Sequence, residues 1–163
     1  MSKRKIPKVS SNPLRVLREP VIASQTSIIK VPKIAEPIVS SDHLRKVRFM
    51  FDVVDHDGPW SLVSITPDDH HVLIKFMAHI EQMTAGELFK PGQRMCKTYS
   101  DMSLCPTSAV LTRLAELFDG LDNMVRLELD GLRRLYGIRT GHEFHIVWWD
   151  PHHEIWPAKL KHT

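Results

Sequence analysis

The chain has 163 residues, 42% of them hydrophobic, and 22 Lys/Arg against 19 Asp/Glu give a net charge of +3. That length suits one domain around one core, and the hydrophobic content excludes wholesale disorder. No apolar run approaches the ~20 residues a membrane span needs, and no apolar stretch follows the basic N-terminus as in a secretory signal.

The charge is unevenly spread. Residues 1–46 hold ten Lys/Arg against three acids, and the remainder holds twelve against sixteen. A net-acidic domain is not, as a whole, a trap for nucleic acid, so any such contact must come from the tail or from a local basic patch. Residues 1–46 also carry five of the eleven prolines and no aromatic residue, which predicts a disordered basic tail before a globular domain over 47–163. Within the tail Ile6-Pro-Lys-Val9 resembles Val31-Pro-Lys-Ile34, and Glu19-Pro-Val-Ile22 resembles Glu36-Pro-Ile-Val39. Such β-branched pieces can add to a partner's sheet edge, or be nothing more than a solvated tail.

From Val47 the residues turn aromatic and β-branched. Val47 to Val54 and Trp60 to Ile65 read as two strands around the turn Asp55-His-Asp-Gly-Pro59, an N-terminal hairpin. Thr66 then caps a helix, with Pro67 at its first position and Asp68 and Asp69 opposing the positive end of its dipole. Val72, Leu73, Phe76, Met77, Ile80 and Met83 form its apolar stripe. Residues 90–106 read as a loop. Thr107 or Ser108 caps a second helix, whose stripe is Val110, Leu111, Leu114, Leu117, Phe118 and Leu121.

Three consecutive strands are expected next: Met124 to Glu128, Leu132 to Arg139 and His142 to Trp149. A Thr140-Gly141 turn sets Tyr136 opposite His145, and a loop Leu129-Asp130-Gly131 joins the first two strands. Period-two alternation then gives one face Val125, Leu127, Leu135, Phe144, Ile146 and Trp148, predicted to pack on both helices. The opposite face carries Arg126, Arg134, Tyr136, His145 and Trp149, with Glu128 nearby. The expected fold is therefore α+β, an antiparallel sheet of hairpin plus meander packed on two helices.

The polar face is where chemistry is concentrated, although such residues also serve plain cross-strand packing. The adjacent pairs His70-His71 and His152-His153 lack metal-ligand spacing, so no metal or other cofactor is expected. Cys96 and Cys105, nine apart, read as reduced thiols of a cytoplasmic protein. Trp156 is expected to fold back over the sheet, and Lys159, Lys161 and His162 to form a basic end.

Two helices followed by a three-strand meander, with Arg133-Arg-Leu-Tyr-Gly-Ile-Arg139 and Phe144-His-Ile-Val-Trp148 in it, resemble the RelE/ParE-like toxin superfamily over roughly residues 107–163. The end of the chain also resembles small mobile-element proteins with a Phe-x-x-x-Trp-x-Asp-Pro-x-His sequence. The net-acidic domain and the long N-terminal part depart from the toxin pattern. The resemblance implies a toxin with an antitoxin partner, acting on RNA or the ribosome as a metal-independent endoribonuclease. In that reading Arg134, Tyr136 and His145 are catalytic, while Arg126, Trp149 and Lys161 bind RNA. The competing expectation is a non-catalytic inhibitor or adaptor, for instance one docking on the DNA sliding clamp through Glu87-Leu-Phe89 or Glu116-Leu-Phe118.

Overall fold

A computed structural model describes residues 40–157. In chain order it contains a short helix α1 (Ser40–His43), strand β1 (Arg48–Met50), helix α2 (Pro67–Ile80), a one-turn helix α3 (Ala85–Leu88), β2 (Cys96–Tyr99), α4 (Ser108–Leu117), β3 (Met124–Glu128), β4 (Arg134–Thr140) and β5 (Glu143–Asp150). The described fold thus begins at α1, inside the stretch assigned to the tail, and that tail over residues 1–39 lies outside the described residues. The strands form one five-stranded sheet in the order β1-β5-β4-β3-β2.

The helices start where local chemistry places them. Thr66 accepts the Asp69 amide at 3.2 Å, Pro67 opens α2, and Leu73, Met77 and Ile80 are its buried stripe. Thr84 and Glu87 form a reciprocal capping box on α3. Thr107 precedes α4 but spends its hydroxyl elsewhere, donating to the Glu154 carbonyl at 3.0 Å.

The expected N-terminal hairpin is absent. β1 pairs in parallel with β5, Phe49 beside Phe144, so the sheet is mixed and not purely antiparallel. Residues 60–65 contain a 3-10 turn, Leu62–Ser64, in place of a strand. Two side chains divert the backbone from a ladder: Asp55 accepts the amides of Asp57 and Gly58, and Ser61 accepts that of Val63. The missing strand comes from the expected loop, where β2 pairs antiparallel with β3 at the sheet edge.

The three-strand meander is present. Thr140 and Glu143 flank a two-residue turn in which Gly141 has φ +61, the backbone a type II′ hairpin demands of its first central residue. Gly137 faces Ile146 but Tyr136 faces Trp148, so Val147 is an extra residue, a β-bulge. The bulge reverses the alternation after it. Trp149, not Trp148, joins Val125, Leu127, Leu135, Phe144 and Ile146 on one face.

That face packs on α2 residues Leu73, Met77 and Ile80, with Leu88, Val47 and Phe49. The other face, with Met124, Tyr136, Ile138, Val147 and Trp148, packs on α4 residues Val110 and Leu114, with Phe118, Leu121, Trp60 and Ile155. The two helices therefore lie on opposite faces, and the supposedly open polar face is largely a second core. Among the described residues no helix is long and apolar enough to cross a membrane.

Candidate functional site

Register brings three of the expected site residues together. Arg126 stands directly opposite Tyr136, and Glu128 opposite Arg134. The Glu128 carboxylate accepts from Arg126 Nη2 at 3.1 Å and lies 3.6 Å from Arg134 Nη2, while Arg126 Nη1 donates to the Tyr99 hydroxyl at 3.4 Å. One carboxylate thus holds two guanidinium groups side by side.

His145 does not join them. It pairs with Ile138, four positions along β4 from Arg134, about 13 Å at the usual rise per strand residue. Its Nδ1 lies 2.8 Å from Asp52 and its Nε2 3.8 Å from Glu143, a polar cluster at the β1 end of the sheet. Trp149 is buried against the α2 side. Lys161 lies outside the described residues.

The histidine beside the arginines is His153. A strap over residues 151–156 crosses the end of the sheet, organised by the buried Asp150 carboxylate, which accepts the amides of His152, Glu154 and Ile155 at 2.9 to 3.2 Å. Cys105 Sγ donates to the Ile155 carbonyl at 3.2 Å and ties the strap down further. His153 has φ +59, uncommon for a residue with a side chain and a mark of local strain. Burial, then the nearby positive charges of Arg134 and Arg126, hold its imidazole below the usual histidine range, so it is neutral at pH 7.

Arg126 Nε, Arg134 Nε, Tyr136 Oη and His153 Nε2 are all buried without a hydrogen-bond partner among the described residues. Four further buried polar atoms without a protein partner lie elsewhere, on Arg139, His142, His145 and Trp149, so the cluster marks a place where a polar ligand or water can bond and is not a site by itself. Burial, and then the neighbouring Tyr99 and Asp150, push the Tyr136 phenol far above its usual range, so it stays a neutral donor. The Tyr136 hydroxyl has the Tyr99 phenol as its neighbour, and with no bond formed between them Tyr136→Phe is expected to raise the melting temperature by a few degrees. A lower melting temperature in a thermal scan would show that the hydroxyl is bonded in the folded protein. Arg134 also has a structural task, donating to the carbonyls of Asp130, Gly131 and Arg133 and so bracing the β3–β4 loop.

Arg126 leads outward. With Lys90, Arg94 and Lys97 it lines an open groove of about 550 Å³ along β2, and no carboxylate is among the lining residues. Burial pushes the Cys96 thiol in this groove up to about 11, so it is not a thiolate at neutral pH. A second, smaller hollow of about 370 Å³ is lined by Asp69, Asp130, Arg133 and His152, but Arg133 there is already paired with both carboxylates. Among the described residues no three His, Cys, Asp or Glu side chains gather as metal ligands would.

Sequence reasoning missed the groove and His153. The groove had a signal, since Lys90, Arg94 and Lys97 fall in eight residues without an acid. His153 had a weaker one: an Asp directly before Pro favours a turn that folds the following residues back. Of the two Leu-Phe dipeptides, Leu88 and Phe118 are buried and Phe89 lies under the Arg139 guanidinium at 4.1 Å, so neither is presented as a clamp-binding peptide. No protein-family model matches this chain, and no curated protein or solved structure does.

Proposed function

We propose that this chain is a toxin-like, RNA-directed protein of the cytoplasm that cleaves single-stranded RNA without a metal, its neutralising partner being an antitoxin protein. The observation that carries this reading is the acid-free basic groove, whose lining includes Arg126, the arginine that shares Glu128 with Arg134 and whose charge, with that of Arg134, acts on His153. The groove follows the phosphate backbone. Arg126 and Arg134, both paired with Glu128, oppose the charge that grows on the scissile phosphate. The His153 imidazole takes the proton of the 2′-hydroxyl as its oxygen bonds to phosphorus and the P–O5′ bond breaks. The imidazolium then gives that proton to the 5′-oxygen, leaving a 2′,3′-cyclic phosphate and a 5′-hydroxyl.

Incubating single-stranded RNA with the protein in a chelator tests this directly. Wild type is expected to cleave. Arg126→Ala and His153→Gly, the latter chosen because glycine accepts the positive φ, are each expected to slow cleavage about a hundredfold, whereas His145→Ala retains it. Loss in His145→Ala alone would place the chemistry at the other end of the sheet. The groove is probed separately: Lys90→Ala with Arg94→Ala should weaken binding about tenfold and reduce the slope of log affinity against log salt by about 1.4. An unchanged slope would remove the groove from the interface.

One observation favours a second reading, binding without cleavage: Tyr136 is fully buried, and the Arg134 guanidinium is committed to three loop carbonyls. Tight RNA binding with no cleaved product would select it.

A further inference from the structure

Three aromatic rings stand nearly parallel on the α4 side of the sheet. Tyr136 and Tyr99 have ring centroids 6.3 Å apart with 19° between planes, and Tyr99 and Trp156 have centroids 4.2 Å apart with 22° between planes. Burial falls along the row: Tyr136 is fully buried, Tyr99 nearly so, and Trp156 is only partly covered. The row also touches both halves of the site already described. Tyr136 stands opposite Arg126 at its inner end, and Lys97, which lines the basic groove, places its ammonium 4.8 Å from the Tyr99 ring centroid.

We propose that Trp156 is a base-stacking platform, taking one unpaired nucleobase of a single-stranded RNA as the fourth ring of this row. The inference rests on the RNA reading above and names how that RNA is gripped. A base has an apolar π-face on an anionic backbone, and the row offers the complement: a partly covered ring at its end, with the ammonium of Lys97, which also lines the acid-free groove, over the next ring. Stacking demands no particular base, so this contact fixes the strand's position while leaving sequence choice elsewhere. Trp156 is also held ready for it. The strap that carries it is tied to the Asp150 carboxylate, to Cys105 and to Thr107, so little ordering is left to offset on binding.

The other three tryptophans make the test clean, because Trp60, Trp148 and Trp149 are 6%, 0% and 2% exposed and only Trp156 can meet a base. A short oligoadenylate and inorganic polyphosphate, which has the charge but no bases, are titrated into the full chain, with binding followed by competition against a labelled RNA. The oligoadenylate is expected to quench tryptophan fluorescence at saturation and polyphosphate to leave it unchanged. Trp156→Phe, which keeps a ring against Tyr99, should abolish the quenching while retaining the circular dichroism spectrum of wild type. Trp156→Ala should weaken oligoadenylate binding about tenfold with polyphosphate binding unaltered. Equal quenching by both ligands, or oligoadenylate binding without quenching, overturns the platform and leaves the RNA reading standing. Failure of the labelled RNA to bind at all overturns both.

Discussion

Replacing Asp55 with alanine is expected to lower the free energy of unfolding by about 3–5 kcal/mol, the cost of leaving the buried Trp148 indole and two backbone amides without their acceptor and Arg113 without its buried partner. Asp55 is 1% exposed, and its carboxylate accepts from Arg113 Nη2 and Nε at 2.6 and 2.9 Å, from the Trp148 indole at 2.9 Å, and from the amides of Asp57 and Gly58. It therefore joins α4, the β5 bulge and the loop after β1. Burial alone would raise its pKa, but these five donors more than offset burial and bring it from 3.8 to about 2. The folded-state value lies below the unfolded one, so this stabilisation is fully present above pH ~4 and is lost as pH falls through about 2. At 1.36 kcal/mol per unit the ionised form accounts for roughly 2.5 kcal/mol of it. Urea unfolding at pH 7 and pH 3 is the check. Wild type should lose stability between them, and Asp55→Ala should lose less. Equal pH dependence in the two proteins would show that Asp55 is not the group responsible.

The same network explains why the first third of the fold resisted reading. Trp60 to Ile65 alternates as a strand would, yet the backbone near it is captured by Asp55 and Ser61, and side chains that bond local amides leave no trace in hydrophobic periodicity. β1 finds its partner in β5, almost at the other end of the chain, and nothing local in Arg48–Met50 announces a parallel neighbour. Local signals fared better. Thr66 and Pro67 define the start of α2, and alternation alone placed Val125, Leu127 and Leu135 on one face and Arg126, Arg134 and Tyr136 on the other. The site was legible to that extent. It was misread where parity breaks and where burial decides: Met124, Ile138 and Val147 share the arginine face and bring α4 down on it, so a face with attractive polar residues is mostly core. His153 was overlooked because its place comes from the Asp150 turn, not from strand spacing.

Gly137→Ala is expected to cost about 3 kcal/mol, the upper part of the range for overpacking. A Cβ there would fall on the backbone carbonyl oxygen of His145 and lie 2.7 Å from two ring carbons of Phe144. Neither obstacle can yield cheaply, since one is backbone in the β4–β5 ladder and the other a fully buried ring packed edge-on against Phe49. Glycine inside a strand marks a close approach of this kind, and here the approach sits at the bulge that sends Trp148 toward Trp60 and Trp149 toward the α2 side. Relief by sliding β5 one residue would exchange those two indoles between cores, a change no conservative repacking can absorb. Urea unfolding should show the lower midpoint. Near-ultraviolet circular dichroism of the still-folded fraction should show whether the Trp60–Trp148 pair, 5.6 Å between centroids, has been disturbed. On the RNA reading proposed above, a folded Gly137→Ala protein with an altered aromatic spectrum should also bind RNA less well than wild type, because Tyr136 directly precedes the glycine. Wild-type stability and an unchanged spectrum together would mean that the bulge does not set the register on which the arginine–tyrosine site depends.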